Sequence, residues 1–175
     1  DALRRAGARL AWFSPLRDAR LPEGTCGLYL GGGYPELYAQ TLSENRSLRE
    51  EIRSALQKGM PALAECGGFL YLQETLEDAQ GTARPMVGAL RGTGIPTPRL
   101  QRFGYVSLTA KEDSRYLKRG ETLAAHEFHR WDSTQNGSAC RAERPAGGEG
   151  WDCMAAQGAL LAGFPHLYFP SHPSF

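Results

Sequence analysis

The segment Ala64-Glu65-Cys66-Gly67-Gly68 constrains the fold more than any other part of this chain, because a cysteine and two glycines sit where one short apolar run ends and another begins. A buried strand that turns into a helix within a residue or two has no room for bulky neighbours, so small residues accompany the side chain pushed out at the tip. That is the pattern of a nucleophile elbow. The amides at the start of the following helix would favour a thiolate over a thiol. A cysteine here also suits an ordinary core position, since the residue is often buried as a small hydrophobe, and the elbow alone leaves both readings open.

The surrounding pattern alternates between strand and helix signals. Leu10-Ala11-Trp12-Phe13, ended by Ser14-Pro15, and Gly27-Leu28-Tyr29-Leu30, ended by three glycines, read as buried strands. Between residues 43 and 58, Leu48, Ile52, Ala55 and Leu56 share one face, and Gly59 stops the segment, which predicts a helix. Met60-Pro61-Ala62-Leu63-Ala64 is then the strand that ends at the elbow, and Phe69-Leu70-Tyr71-Leu72 opens the helix behind it. Strand, helix, strand, elbow, helix implies parallel pairing with right-handed crossovers. Residues 81–102, rich in Gly and Pro, predict a loop or short strands. Further strands are expected at 105–109, 122–128 and 151–156, with a hairpin tip at 146–150. The last apolar run, residues 159–164, delivers Pro165-His166 just past a strand end, and in such sheets functional residues gather at carboxyl edges.

Composition limits the partners. The 175 residues, 41% hydrophobic, suffice for one domain with a core. A net charge of +1 gives no electrostatic case for nucleic acid or an anionic membrane. Cys26, Cys66, Cys140 and Cys153 form no C-x-x-C pair and no dense framework, as suits a reducing cytoplasm, and free thiols are expected at 140 and 153. No run has the length of a membrane helix and no signal-peptide pattern is present. His172 is expected to be a surface polar residue.

The candidate chemistry is a cysteine with a base. Cys66 and His166 form that pair, each placed at a strand terminus. Acyl transfer also needs donors for an oxyanion, and the backbone of Gly31, Gly32 and Gly33 with the amide of Gly67 can supply them. A phosphate cradle is the weaker reading of these glycines, because no dinucleotide or P-loop spacing is present. His126-Glu127-Phe128-His129 invites a metal, but on a strand residues 126 and 129 face opposite sides, so no metal site is expected. Two readings of the segment stay open: a polar strand lining the cleft, or groups that satisfy one another.

Phe13-Ser14-Pro15-Leu16-Arg17-Asp18, Leu30-Gly31-Gly32-Gly33-Tyr34-Pro35-Glu36-Leu37, the cysteine segment, His126-Glu127-Phe128-His129 and His166-Leu167 occur in this order over nearly the whole chain. In this the chain resembles the glutamine amidotransferase domain of the cobyrinic acid a,c-diamide synthase family, including its hydrogenobyrinic counterpart. The resemblance implies a three-layer α/β domain with a mostly parallel central sheet, whose first strand is expected to be missing before Asp1. Residues 1–175 would then be one amidotransferase domain, without the N-terminal ATP-dependent synthetase domain. It implies that Cys66 attacks glutamine with His166 as base, and that Gly32, Gly33, Tyr34, Gly67, His126, Glu127 and His129 bind substrate. The domain itself would need no cofactor. ATP and Mg2+ belong to the full-length enzyme, where ammonia would reach the synthetase domain and a corrinoid precursor. A cytoplasmic location follows, with neither nucleic acid nor membrane as partner.

Tyr168 stands two residues after His166, where many class I amidotransferases carry a glutamate, so a Cys–His dyad is implied and the group orienting His166 is unassigned. Leu70 replaces a substrate-holding glutamine of other amidotransferases, and Ala125 a glycine. Other readings are amidation of another tetrapyrrole such as nickel-sirohydrochlorin, a cysteine hydrolase that dispenses with the Tyr34-Pro35-Glu36 loop, and a non-catalytic interaction domain.

Overall fold

The computed structural model describes residues 2–172, with the side chain of Ala2 left aside. Its centre is a four-stranded sheet in the order β1-β2-β10-β9, in which β1 (Leu28–Leu30), β2 (Ala62–Glu65) and β10 (Leu160–Gly163) run parallel and β9 (Ala155–Gln157) is antiparallel. All four residues of β2 and of β10 are buried, which is why both read as unbroken apolar runs rather than alternating ones.

Alternate residues of these strands serve two cores. Leu28, Leu30, Ala62, Ala64, Leu160 and Ala162 face a cluster with Leu48 and Ile52 of α3 (Arg46–Gln57) and with Phe69, Leu70 and Leu72 of α4 (Gly67–Leu72). Leu63 and Leu161 point the other way, onto Val106, Leu108, Ala142 and Met154. That second cluster is walled by a seven-stranded sheet, mainly antiparallel, built on β5 (Thr93–Ala110) and β6 (Thr122–Ser133). Helices, parallel sheet and antiparallel sheet make the three layers, so the α/β class expected from the sequence holds.

Several local expectations are corrected. Residues 10–13 form no strand, and Trp12 is 84% exposed; a short apolar run becomes a strand only where a sheet edge accepts it, and here only Phe13 packs on the core. The helix expected over 43–58 is divided by Asn45, which ends α2 (Ala39–Glu44) and caps α3, its Oδ1 accepting the Leu48 amide at 3.4 Å. Half of the Gly/Pro-rich 81–102 segment belongs to β5, whose register with β6 shifts around Arg102, a residue at φ 45°. The strand expected at 151–156 is broken at Met154, φ 60°, between β8 (Trp151–Cys153) and β9. His172 is not freely exposed, for its side chain is 12% accessible and lies 3.6 Å from Glu121.

Candidate active site

The elbow is present. Cys66 has φ 50° and ψ −105°, a conformation that costs a non-glycine residue of the order of 1–3 kcal/mol and persists only where the surroundings impose it. They do so from both sides. The Cys66 amide donates to Gly163 O of β10 at 2.8 Å, and the Gly68 amide donates to Gly31 O at 3.1 Å. A Cβ on Gly67 would fall 2.6 Å from Gly33 O, and one on Gly68 would fall 2.3 Å from Leu30 O. The two glycines after the cysteine are thus required by contact with the β1 strand end and its glycine loop.

That loop lies against the histidine as well, because a Cβ on Gly32 would sit 2.5 Å from Cε1 of His166. His166 belongs to β11 (His166–Leu167), a two-residue strand paired antiparallel with β6 so that His166 faces His126 in register. The sequence placed this histidine past a strand end; the structure adds the pairing that fixes it there. Its ring is raised from the ordinary histidine value to about 10, first by the Cys66 thiol and then by the Glu65 carboxylate, against the opposing effect of burial. Both neighbours thus favour the form of His166 that carries a proton. Sγ of Cys66 also lies 3.9 Å from the carbonyl oxygen of Phe128.

Because the folded-state value exceeds the unfolded one, the proton on His166 stabilises the fold fully below about pH 6.5, less as pH rises, and no longer above about pH 10. Thermal melts of the protein and of His166→Ala are expected to differ most at pH 6 and to converge toward pH 10. A difference that instead grew with pH would contradict the assigned direction.

The other predicted site residues separate into two groups. Gly32, Gly33 and Gly67 meet at the elbow, and Tyr34 stands beside them, 65% exposed. His126 packs edge-on against Phe103 and Tyr105, centroids 5.7 and 5.1 Å apart, on the strand that holds His166. Glu127 and His129 follow the second of the two readings left open. Glu127 is fully buried, 2.9 Å from His129 Nε2, 3.1 Å from the donating Trp151 Nε1 and 3.7 Å from Arg102 Nη1. Nδ1 of His129 meets Trp131 O at 2.5 Å, and its ring lies flat on Phe164, centroids 3.7 Å apart. A buried carboxylate needs such partners, and this network buttresses the chain two residues before His166.

Glu65 is the residue sequence reasoning passed over. It ends β2 on the same face as Leu63, is only 3% exposed, accepts Tyr29 OH at 2.7 Å and the Leu167 amide at 2.9 Å, and lies 3.7 Å from His166 Nδ1. A carboxylate closing an apolar strand beside a nucleophile was the available signal.

A cysteine on a strained strand-to-helix turn, with a histidine brought to it from the neighbouring strand end, defines a Cys–His domain on an α/β sheet. The architecture is that of glutamine amidotransferases: one solved glutamine amidotransferase superposes with a TM-score of 0.58 at 18% identity, covering 94% of this chain and 81% of that one. PurLQS from Thermotoga maritima gives 0.53 at 14%, covering 84% of this chain and 70% of that one. The chain belongs to the CobB/CobQ-like glutamine amidotransferase domain family, which it matches over residues 1–174. It is 44% identical to the cobyrinate a,c-diamide synthase of Caldanaerobacter subterraneus over 169 residues, 95% of this chain and 37% of that protein. It is 37% identical to that of Listeria innocua over 178 residues, 99% of this chain and 39% of the relative. The chain thus spans well under half the length of these relatives.

Proposed function

We propose that the chain is the glutaminase domain of a cobyrinate a,c-diamide synthase. The observation that carries this is the strained elbow that turns Cys66 toward His166, the thiol being the first group acting on that ring, in a chain 44% identical to an enzyme of that name.

The Cys66 thiolate attacks the side-chain amide carbon of glutamine, and the oxygen takes the negative charge, with backbone amides of the Gly32–Gly33 loop and Gly67 as its donors. As the intermediate collapses the C–N bond breaks, His166 gives its proton to the departing nitrogen, and ammonia leaves a glutamyl thioester. Water, losing a proton to His166, then attacks the thioester and releases glutamate with Cys66 again a thiolate. Tyr34, exposed beside Gly33, and His126, opposite His166, would contact glutamine. In the complete protein the ammonia would pass to an ATP-dependent synthetase domain and amidate the a and c carboxylates of cobyrinic or hydrogenobyrinic acid. ATP and Mg2+ would act in that synthetase domain, since the triglycine loop here is packed on His166 and the elbow.

The test is glutamate release from glutamine by the intact protein supplied with ATP, Mg2+ and either cobyrinate or nickel-sirohydrochlorin. Glutamate formation coupled to amidation of cobyrinate is expected. Coupling to the nickel compound alone would replace the acceptor, and hydrolysis of esters without glutamine turnover would replace the reaction class.

A further inference from the structure

The Cys–His pair lacks the third member that would orient the imidazole, since Tyr168 stands two residues after His166. The carboxylate nearest the ring comes instead from the residue before the nucleophile. We propose that Glu65, held in place by Tyr29, is the positioning residue that orients His166 for Cys66; this rests on the Cys66–His166 reading above.

Glu65 is the last residue of β2 and Tyr29 the middle of β1, opposite Leu63 in the parallel register. Tyr29 is therefore the diagonal neighbour of Glu65 on the sheet face turned away from the helices, and its hydroxyl reaches Oε2 at 2.7 Å. The other oxygen, Oε1, takes the Leu167 amide at 2.9 Å, so the carboxylate is tied both to the sheet and to the backbone beside the histidine. What remains of Oε2 faces Nδ1 of His166 at 3.7 Å. This is an ion-pair contact rather than a hydrogen bond, and a small rotation of the ring on binding substrate would close it. With Nδ1 turned to Glu65, Nε2 is the nitrogen left for the thiol.

The side chain of Glu65 is 4% accessible against 39% for His166. A buried carboxylate acts on a neighbouring imidazolium with little screening, and holding one nitrogen protonated is what orients the other. Tyr29 remains a donor, since burial first and Glu65 second push its phenol well up. Among the described residues, the groups around His166 are Glu65 at the end of β2, Cys66 at the elbow that follows it, Tyr29 behind Glu65, and His126 from β6, itself covered by Tyr105. Among the described residues facing the ring, Glu65 is the one carboxylate.

The experiment compares the protein with Glu65→Gln and Tyr29→Phe by two readouts. One is the titration of the His166 ring followed by NMR; the other is the pH profile of Cys66 alkylation by iodoacetamide, which needs no glutamine recognition. Glutamine keeps an acceptor for the Leu167 amide, so the unfolding midpoint should stay close to that of the parent. Glu65→Gln is expected to lower the His166 midpoint by about one pH unit or more and to slow alkylation near neutral pH by about tenfold. Tyr29→Phe is expected to move both in the same direction by less.

An unchanged His166 midpoint in folded Glu65→Gln would overturn the proposal. If that variant does not fold, an unchanged midpoint in Tyr29→Phe would overturn it. Alkylation by iodoacetamide without reaction toward a glutamine analogue would instead remove the glutaminase reading and leave the Glu65–His166 linkage standing.

Discussion

Cys66→Ala is expected to abolish glutamate release, by roughly three orders of magnitude or more, because no other group at the site can form the thioester. Of the remaining cysteines, Cys140 and Cys153 are buried thiols opposite one another on β7 (Cys140–Glu143) and β8, and Cys26 is exposed elsewhere on the surface. Burial pushes the Cys140 thiol up to about 11 and that of Cys153 higher, so neither substitutes as a nucleophile. A second variant separates chemistry from strain. Cys66→Gly should be equally inactive yet about 1 kcal/mol more stable than Cys66→Ala, since glycine accepts φ 50° without the penalty an alanine still carries. Urea unfolding of the two variants checks the order; an alanine variant as stable as the glycine one would mean the elbow is unstrained.

Gly68→Ala is expected to destabilise the fold by about 1–3 kcal/mol or more and to lose activity with it. The added Cβ would lie 2.3 Å from Leu30 O and 2.7 Å from Leu30 C. Both are backbone atoms of β1, hydrogen-bonded along β2, so relief requires α4 to move off β1 and carry Cys66 with it. Gly33→Ala is the contrast for stability, since its Cβ would meet nothing within 4 Å. Equal unfolding midpoints for the two would contradict the packing described at the elbow.

The parallel layer was legible because β2 and β10 are buried on both faces, so that Ala62 to Ala64 and Leu160 to Ala162 announce themselves as apolar runs, and because Leu28-Tyr29-Leu30, although Tyr29 is exposed, is equally apolar and closed by glycine. The elbow was legible for the same steric reason that makes Gly67 and Gly68 obligatory. The antiparallel layer was less so. Its strands alternate in burial and its register is set by a shift near Arg102, which residue types do not announce. Residues 10–13 show the converse, an apolar run with no edge to join.

At the site, Cys66 and His166 could be named from their positions at strand ends. Glu65 could not be assigned, because its contacts come from Tyr29 on one neighbouring strand and Leu167 beyond another. Which member of His126-Glu127-Phe128-His129 turns inward likewise depended on pairing. Leu123, Ala125, Glu127 and His129 occupy the inner face of β6, and the two polar residues there satisfy each other.

The most direct measurement is the mass of the intact protein, followed by peptide mapping, after exposure to 6-diazo-5-oxo-norleucine, a glutamine mimic that alkylates the attacking thiol. A single adduct on Cys66, formed more slowly in His166→Ala and absent in Cys66→Ala, is the expected result. A folded protein that stays unlabelled, or one labelled at the exposed Cys26 instead, would contradict the assignment of Cys66 as the glutamine nucleophile.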